Sequence, residues 1–173
     1  MYKISTLKKL DSKNPSAFRN FICELIDQGA YLLVDKKPTL KEEKQWLKDK
    51  IAAIRKGNEL CLAVWDGGKL AAVADARRAR FKESENVCIG IAILKPYRGK
   101  GLGEKLLRSI ITLTKKKLKP KTIYLTVFEQ NKVAQNLYTK VGFREFARFP
   151  KWIKHKGHYY DSVYMILKSS KNL

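Results

Sequence analysis

Apolar and polar positions change period several times along the chain, and each change marks an element. Residues 2–7 read as a short first strand. Asn14 before Pro15 predicts a helix start, since Asn caps free N–H groups and proline's fixed φ suits a first turn. Phe18, Phe21, Ile22, Leu25 and Ile26 then recur at helical spacing up to Gly29. Thr39 with Glu42 reads as a capping box, and Trp46, Leu47, Ile51 and Ile54 carry a second helix to Gly57-Asn58. Residues 59–65 predict a strand, Asp66-Gly67-Gly68 a hairpin turn, and residues 69–80 the next strand, with small Ala71, Ala72, Ala74 and Ala76. The apolar run 87–94 is another strand. Leu102, Leu106, Leu107, Ile110 and Leu113 share one helical face, and Pro120 closes that region. Residues 122–128 alternate, with Ile123, Leu125 and Val127 on one side. Residues 132–140 predict a helix stopped by Gly142. Two strands finish the pattern, 143–149 and 158–167, joined by a loop with Lys156-Gly157. The order is β-α-α-β-β-β-α-β-α-β-β, with no repeat or linker, and the length of 173 residues suits a single domain over the whole chain.

The stretch from Asn86 to Phe143 carries the chemistry. Its strand 87–94 runs into Lys95-Pro96-Tyr97-Arg98-Gly99-Lys100-Gly101-Leu102-Gly103-Glu104, and a helix follows at once. A turn that opens a helix aims backbone N–H groups outward, and with the helix dipole they suit phosphate. A P-loop is excluded, because no lysine-hydroxyl pair follows the glycines. A dinucleotide fingerprint is excluded too, because the glycine spacing is wrong and no acidic residue stands about 20 positions on. The loop alone also fits a tight strand-to-helix turn.

Arg98-Gly99-Lys100-Gly101-Leu102-Gly103 resembles the R/Q-x-x-G-x-G/A acetyl-coenzyme A loop of the GNAT superfamily of N-acetyltransferases. Asn131-Lys132-Val133-Ala134-Gln135-Asn136-Leu137-Tyr138 with Gly142-Phe143 is similar to that superfamily's second signature, N-x-x-A-x-x-L-Y-x-x-x-G-F. The element order extends the likeness over nearly the whole chain. The resemblance implies an α/β (α+β) GNAT fold: a mixed sheet of about seven strands splayed into a V, flanked by about four helices. It also implies acetyl-CoA as co-substrate, wedged in the V, with no metal. The backbones of Ile91, Ala92 and Ile93 would pair with the pantetheine arm and polarise the thioester. A bulge at or near Gly90 would splay the strands. The amides of Gly99, Lys100, Gly101, Leu102, Gly103 and Glu104 would hold the pyrophosphate, with Arg98 beside them. Asn131 matches a coenzyme-contacting asparagine and equally suits a helix N-cap. Tyr138 matches the tyrosine that returns a proton to the coenzyme thiolate; read without the motif it is a core aromatic.

Some members that acetylate protein N-termini carry a glutamate twelve residues before the tyrosine, and here that position is Thr126. Glu129, Asp161, His155, His158 and Tyr164 are therefore the candidate bases. The pair His155 and His158 lacks further metal ligands. Residues 157–165, with their aromatic cluster, resemble the final strand of the ribosomal-protein and general protein acetyltransferase branches. The first two helices, with Tyr31 and Trp46 near their ends, would cover the acceptor groove.

Composition narrows the setting. No apolar run approaches about 18 residues, so no membrane helix is expected; residues 1–7 show no apolar leader. Cys23, Cys61 and Cys88 stand singly, as reduced core thiols in a cytoplasmic protein do. The net charge is +21, and residues 95–173 hold 19 Lys+Arg and 4 Asp+Glu against 18 and 12 before them. Coenzyme phosphates use part of that excess. The rest suits an acidic or nucleic-acid-associated protein acceptor, or is solvated surface. The expected reaction is direct acetyl transfer to a primary amine, a protein lysine or N-terminus. The alternatives are a small amine (amino acid, antibiotic or polyamine) as acceptor, and a nucleic-acid-binding module using Arg77-Arg78-Ala79-Arg80 and Lys115-Lys116-Lys117.

Overall fold

The computed structural model describes residues 3–7 and 14–167. Its elements are β1 (Lys3–Thr6), α1 (Pro15–Asp27), α2 (Leu40–Arg55), β2 (Glu59–Asp66), β3 (Lys69–Arg78), β4 (Asn86–Ile93), α3 (Leu102–Lys117), β5 (Thr122–Phe128), α4 (Lys132–Val141), β6 (Phe143–His155) and β7 (His158–Leu167). The first strand was expected to include Tyr2, which lies outside the described residues. The helix starts follow the capping chemistry. Asn14 Oδ1 accepts from Ala17 N at 3.2 Å, and Thr39 and Glu42 make both bonds of the capping box.

One mixed sheet runs β1-β2-β3-β4-β5-β7-β6. All neighbours are antiparallel except β4 and β5, which lie parallel. Strand alternation sends side chains to two cores. On one face α3 and α4 pack Leu106, Leu107, Ile110 and Tyr138 against Ala72, Ala74, Ala76, Ile89, Leu125 and Val127. On the other, α1 and α2 pack Phe18, Leu25 and Leu47 against Cys61, Ala63 and Leu70. The alanines of β3 let α3 lie close to the sheet.

Two features differ from the sequence expectation. β6 runs to His155 rather than stopping at Phe149. Pro150 removes a ladder donor, and the strand absorbs it by a register shift between Phe149 and Ile153. Lys151 there takes φ 51°, and its N–H donates to Asp161 Oδ1 at 2.9 Å instead of to the ladder. The bulge expected near Gly90 does not occur between β3 and β4, whose pairing is continuous from Ala72–Ile93 to Arg78–Val87. Gly90 has another reason to be glycine: a Cβ there would stand 2.7 Å from Asp75 Oδ1.

Asp75 belongs to a charge network under α2. Lys50 Nζ lies 2.6 Å from Asp75 and 2.7 Å from Glu59, with its side chain 6% exposed. Burial pulls the Lys50 pKa down, but Asp75 and Glu59 outweigh it and hold the ammonium above its usual value.

Candidate active site

The sheet opens where its one parallel pair ends. β4 and β5 are in register only over Asn86–Thr122, Val87–Ile123 and Cys88–Tyr124. Beyond Cys88 and Tyr124 the strands diverge, each held on its far side by β3 or β7. This fork is the expected V, made by loss of pairing on one side rather than by a bulge.

Parity decides which backbone groups face the fork. Ala79 N donates to Asn86 O and Leu94 N donates to Ala71 O, so the even residues of β4 bond to β3 and the odd ones face β5. Ile91 thus presents both N–H and C=O to the fork, and Ile93 presents its N–H. The Ile93 carbonyl accepts from Arg98 Nε at 2.8 Å. Ala92 turns its backbone toward Val73 and its side chain toward the α1–α2 core. Across the fork, Glu129 N donates to Asp161 O, so the even residues of β5 face β4. The Phe128 carbonyl accepts from Asn131 N and Gln135 Nε2, which leaves the Thr126 backbone open. Thr126 has no side-chain base to offer, but its main chain lines the cleft.

The glycine loop sits at the end of β4. Gly99 and Gly101 have φ of 73° and 74°, and a Cβ on either would meet nothing within 4 Å. These glycines are required by backbone conformation, and the space above them is open. Gly101 is the left-handed N-cap of α3 and supplies no side-chain cap. Among the described residues, no protein group accepts from the N–H groups of Gly99 to Glu104; the ladder begins with Lys105 N to Gly101 O. Gly103 is different. A Cβ there would lie 3.1 Å from Leu137 and 3.3 Å from Ile93, so it lets α3 close against α4 and β4. Lys100 Nζ donates to the Pro96 carbonyl. The Glu104 carboxylate is held down in pKa by Lys140 and then Arg108, at 2.7 and 2.9 Å, which offsets its charge beside the free amides.

Tyr138 is 7% exposed on α4 and packs edge-on to Phe143. Burial, and then Cys88, push its pKa up to about 12. It keeps its proton at neutral pH. Burial, followed by Asp75, raises the Cys88 pKa too, and a thiol that resists ionisation is a poor nucleophile. Asn131 caps α4 through Ala134 N at 3.3 Å, so its N-cap role is present.

Glu129 and Asp161 are both drawn to Arg148, at 3.2 and 3.8 Å, and Arg148 also pairs with Glu145. His158 is exposed. His155 is half-buried among Tyr31, Phe128 and Tyr160, with ring centroids 6.2, 5.7 and 6.3 Å away. Tyr164 stands opposite Thr126, and Phe149 and then Trp152 extend its cluster outward. Tyr31 packs with Phe128 and His155. Trp46 does not; it lies against Phe18 and under the Lys50 ammonium. Tyr124 and the Lys50–Asp75–Glu59 network were not singled out from the sequence, and Cys88 was read only as a core thiol. The one signal available was strand parity, which puts Cys88 opposite Arg77 and diagonal to Asp75 once β3 and β4 are paired.

A fork in a mixed sheet, six free amides at a helix start and a buried phenol on α4 thus come from one stretch of the chain, residues 86–141. The acetyltransferase (GNAT) family model matches residues 23–143. The chain belongs to the GNAT family. Among curated relatives, the GNAT protein is 28% identical over 113 residues to the L-amino acid N-acetyltransferase AaaT of Escherichia coli, covering 65% of this chain and 70% of that one. It is 46% identical over 48 residues to the spermine/spermidine N(1)-acetyltransferase of Bacillus subtilis, covering 28% of this chain. That match spans only 32% of the relative's length. Among solved structures, yncA from Salmonella typhimurium, described with its cofactor acetyl-CoA, superposes with TM-score 0.81 at 19% identity, over 96% of this chain and 93% of that one.

Proposed function

We propose that this GNAT protein is an N-acetyltransferase that moves an acetyl group from acetyl-CoA directly to a primary amine carried by a protein, a lysine or an N-terminus. The observation that carries the reading is the run of free amides from Gly99 to Glu104 at the mouth of the β4–β5 fork. The co-substrate supplies an activated thioester carbonyl and a thiolate leaving group. The chain's part is to hold and polarise them. The loop amides bind the pyrophosphate, with Arg98 and Asn131 at its flanks. The Ile91 backbone, with the Ile93 N–H, pairs with the pantetheine arm and aims the carbonyl; preorganised donors of this kind contribute about 3–4 kcal/mol to such transfers. Tyr138 donates its proton to the departing sulfur. Its raised pKa keeps the proton present at neutral pH. His155, on the aromatic side of the fork, takes the proton of the attacking amine through solvent.

The wall of Tyr31, Phe128, Tyr160, Tyr164 and Phe149 receives the acceptor. It offers apolar surface to a side chain beside the amine. The net charge of +21 disfavours a polycation such as spermine. A second reading, a free amino acid as acceptor, draws on the likeness to AaaT and on the same surplus of positive charge, which suits a carboxylate.

The test combines acetyl-CoA calorimetry with an acceptor screen. Wild type should bind acetyl-CoA and Gly101→Glu should not. Turnover should then be compared on peptides with free N-termini, peptides with internal lysines, single amino acids and spermine. Faster turnover of amino acids than of any peptide would select the second reading. No binding by folded wild type would refute both.

A further inference from the structure

The opposite end of the sheet holds a feature that acetyl transfer does not use. A cavity of about 380 Å³ lies where β3 passes through Ala79 and Arg80 into the short turn Phe81–Glu83, against the end of α2. Arg77, Arg78, Arg80 and Phe81 line it. Arg78 is structural: its guanidinium donates to the Ser84 and Leu118 carbonyls, both at 2.6 Å, and so ties the β3–β4 connection to the α3–β5 connection. Arg77 and Arg80 are exposed. The carboxylate in the lining, Glu59, is engaged by Lys50 at 2.7 Å. Lys82 and Glu83 lie on the turn itself, and Lys121, in the α3–β5 connection, is paired with Glu85.

Phe81 is the second observation. It is 90% exposed, and its φ is 55°. A large side chain gains nothing for folding when it stands in water, and a non-glycine residue in the left-handed region carries a cost. A bare aromatic ring lining the same cavity as two exposed guanidinium groups is the chemistry that stacks a base while its phosphate is paired. We infer that the β3–β4 corner is a second binding site, for the nucleotide units of a single-stranded nucleic acid, with a base on Phe81 and phosphates on Arg77 and Arg80.

The test is fluorescence anisotropy of a labelled single-stranded RNA on the full chain, across a salt series. Phe81→Ala should weaken binding at least about fivefold and Phe81→Trp should retain it, since stacking needs only a π-face. Arg80→Ala should lower the salt slope by about 0.7, one phosphate contact on a single strand. Neither variant touches the fork, so acetyl-CoA binding should be unchanged, and that readout separates this site from the transferase site. Uridine monophosphate competing at its own binding concentration would assign the site to free nucleotides, and failure to compete would assign it to the strand. Binding that ignores both Phe81→Ala and Arg80→Ala and falls instead with Lys115→Glu/Lys116→Glu would overturn the proposal in favour of diffuse attraction. Absence of any RNA or nucleotide binding would overturn it outright.

Discussion

Replacing Lys50 by Met isolates the network beneath α2. The lysine fills a buried slot between Asp75 and Glu59, whose side chains are 24% and 16% exposed. Met keeps most of the volume, so the change is chiefly one of charge. Removing one partner of a buried ion pair costs about 3–5 kcal/mol. The partial exposure of both carboxylates lowers this, and about 2–3 kcal/mol is expected. For a chain of this size that is a fall in melting temperature of roughly 5–10 °C. The loss should depend on pH in a definite sense. Without the ammonium, two carboxylates face each other in a partly buried site, so the variant carries a repulsion that exists only while both are ionised and that acid removes. The variant's deficit should therefore be small near pH 4 and large at pH 7, and Lys50→Met/Asp75→Asn should recover part of it. Urea denaturation of the three proteins at several pH values is the assay. A deficit below about 1 kcal/mol at pH 7, or one that does not change with pH, would refute the buried-network reasoning.

Tyr138→Phe should leave acetyl-CoA affinity intact and lower kcat by about 100-fold or more, the usual worth of a positioned proton donor; steady-state kinetics beside calorimetry checks this. The same variant should be steadier to alkali. With a folded pKa of about 12 above the unfolded phenol, wild type loses stability as pH rises past about 10, and melts at high pH should show that loss reduced in Tyr138→Phe. Gly101→Ala and Gly103→Ala should separate two roles: the first, at φ 74° in open space, costs about 1 kcal/mol of stability but more in coenzyme affinity, and the second crowds the Leu137 and Ile93 methyls, at 3.1 and 3.3 Å, and shows chiefly in the melting temperature. His155→Gln should lower kcat/KM by about 100-fold, the usual worth of a positioned base, while leaving coenzyme binding alone; steady-state kinetics beside calorimetry checks this.

Much of this fold was legible because local chemistry and periodicity agreed. The Thr39–Glu42 box and the Asn14 cap are written in adjacent residues, and the helices begin where those residues stand. The glycine loop was equally plain, since φ near +74° at Gly101 leaves few other residue choices. What could not be read depends on contacts across the sheet. Gly90 suggested a bulge, yet its cause is a carboxylate from the neighbouring strand, fifteen positions away. The length of β6 was missed because Pro150 usually ends a strand, and only Asp161 of β7 shows where the freed Lys151 N–H goes. Ile91, Ala92 and Ile93 looked equivalent in sequence. Pairing with β3 turns Ala92 away and leaves Ile91 most open.

The unzipped edge between β4 and β5 leaves the sheet incomplete in the free protein, with amide and carbonyl groups that only water satisfies. A bound molecule that bridges them completes the hydrogen-bond lattice between the two halves of the sheet. Occupancy then enters the folding equilibrium by mass action: a ligand at a hundred times its dissociation constant adds about 2.7 kcal/mol. On the proposed function, the population of folded protein, and its lifetime against proteolysis, should thus rise and fall with the acetyl-CoA concentration, so that the metabolite sets how much catalyst persists as well as how fast it turns over.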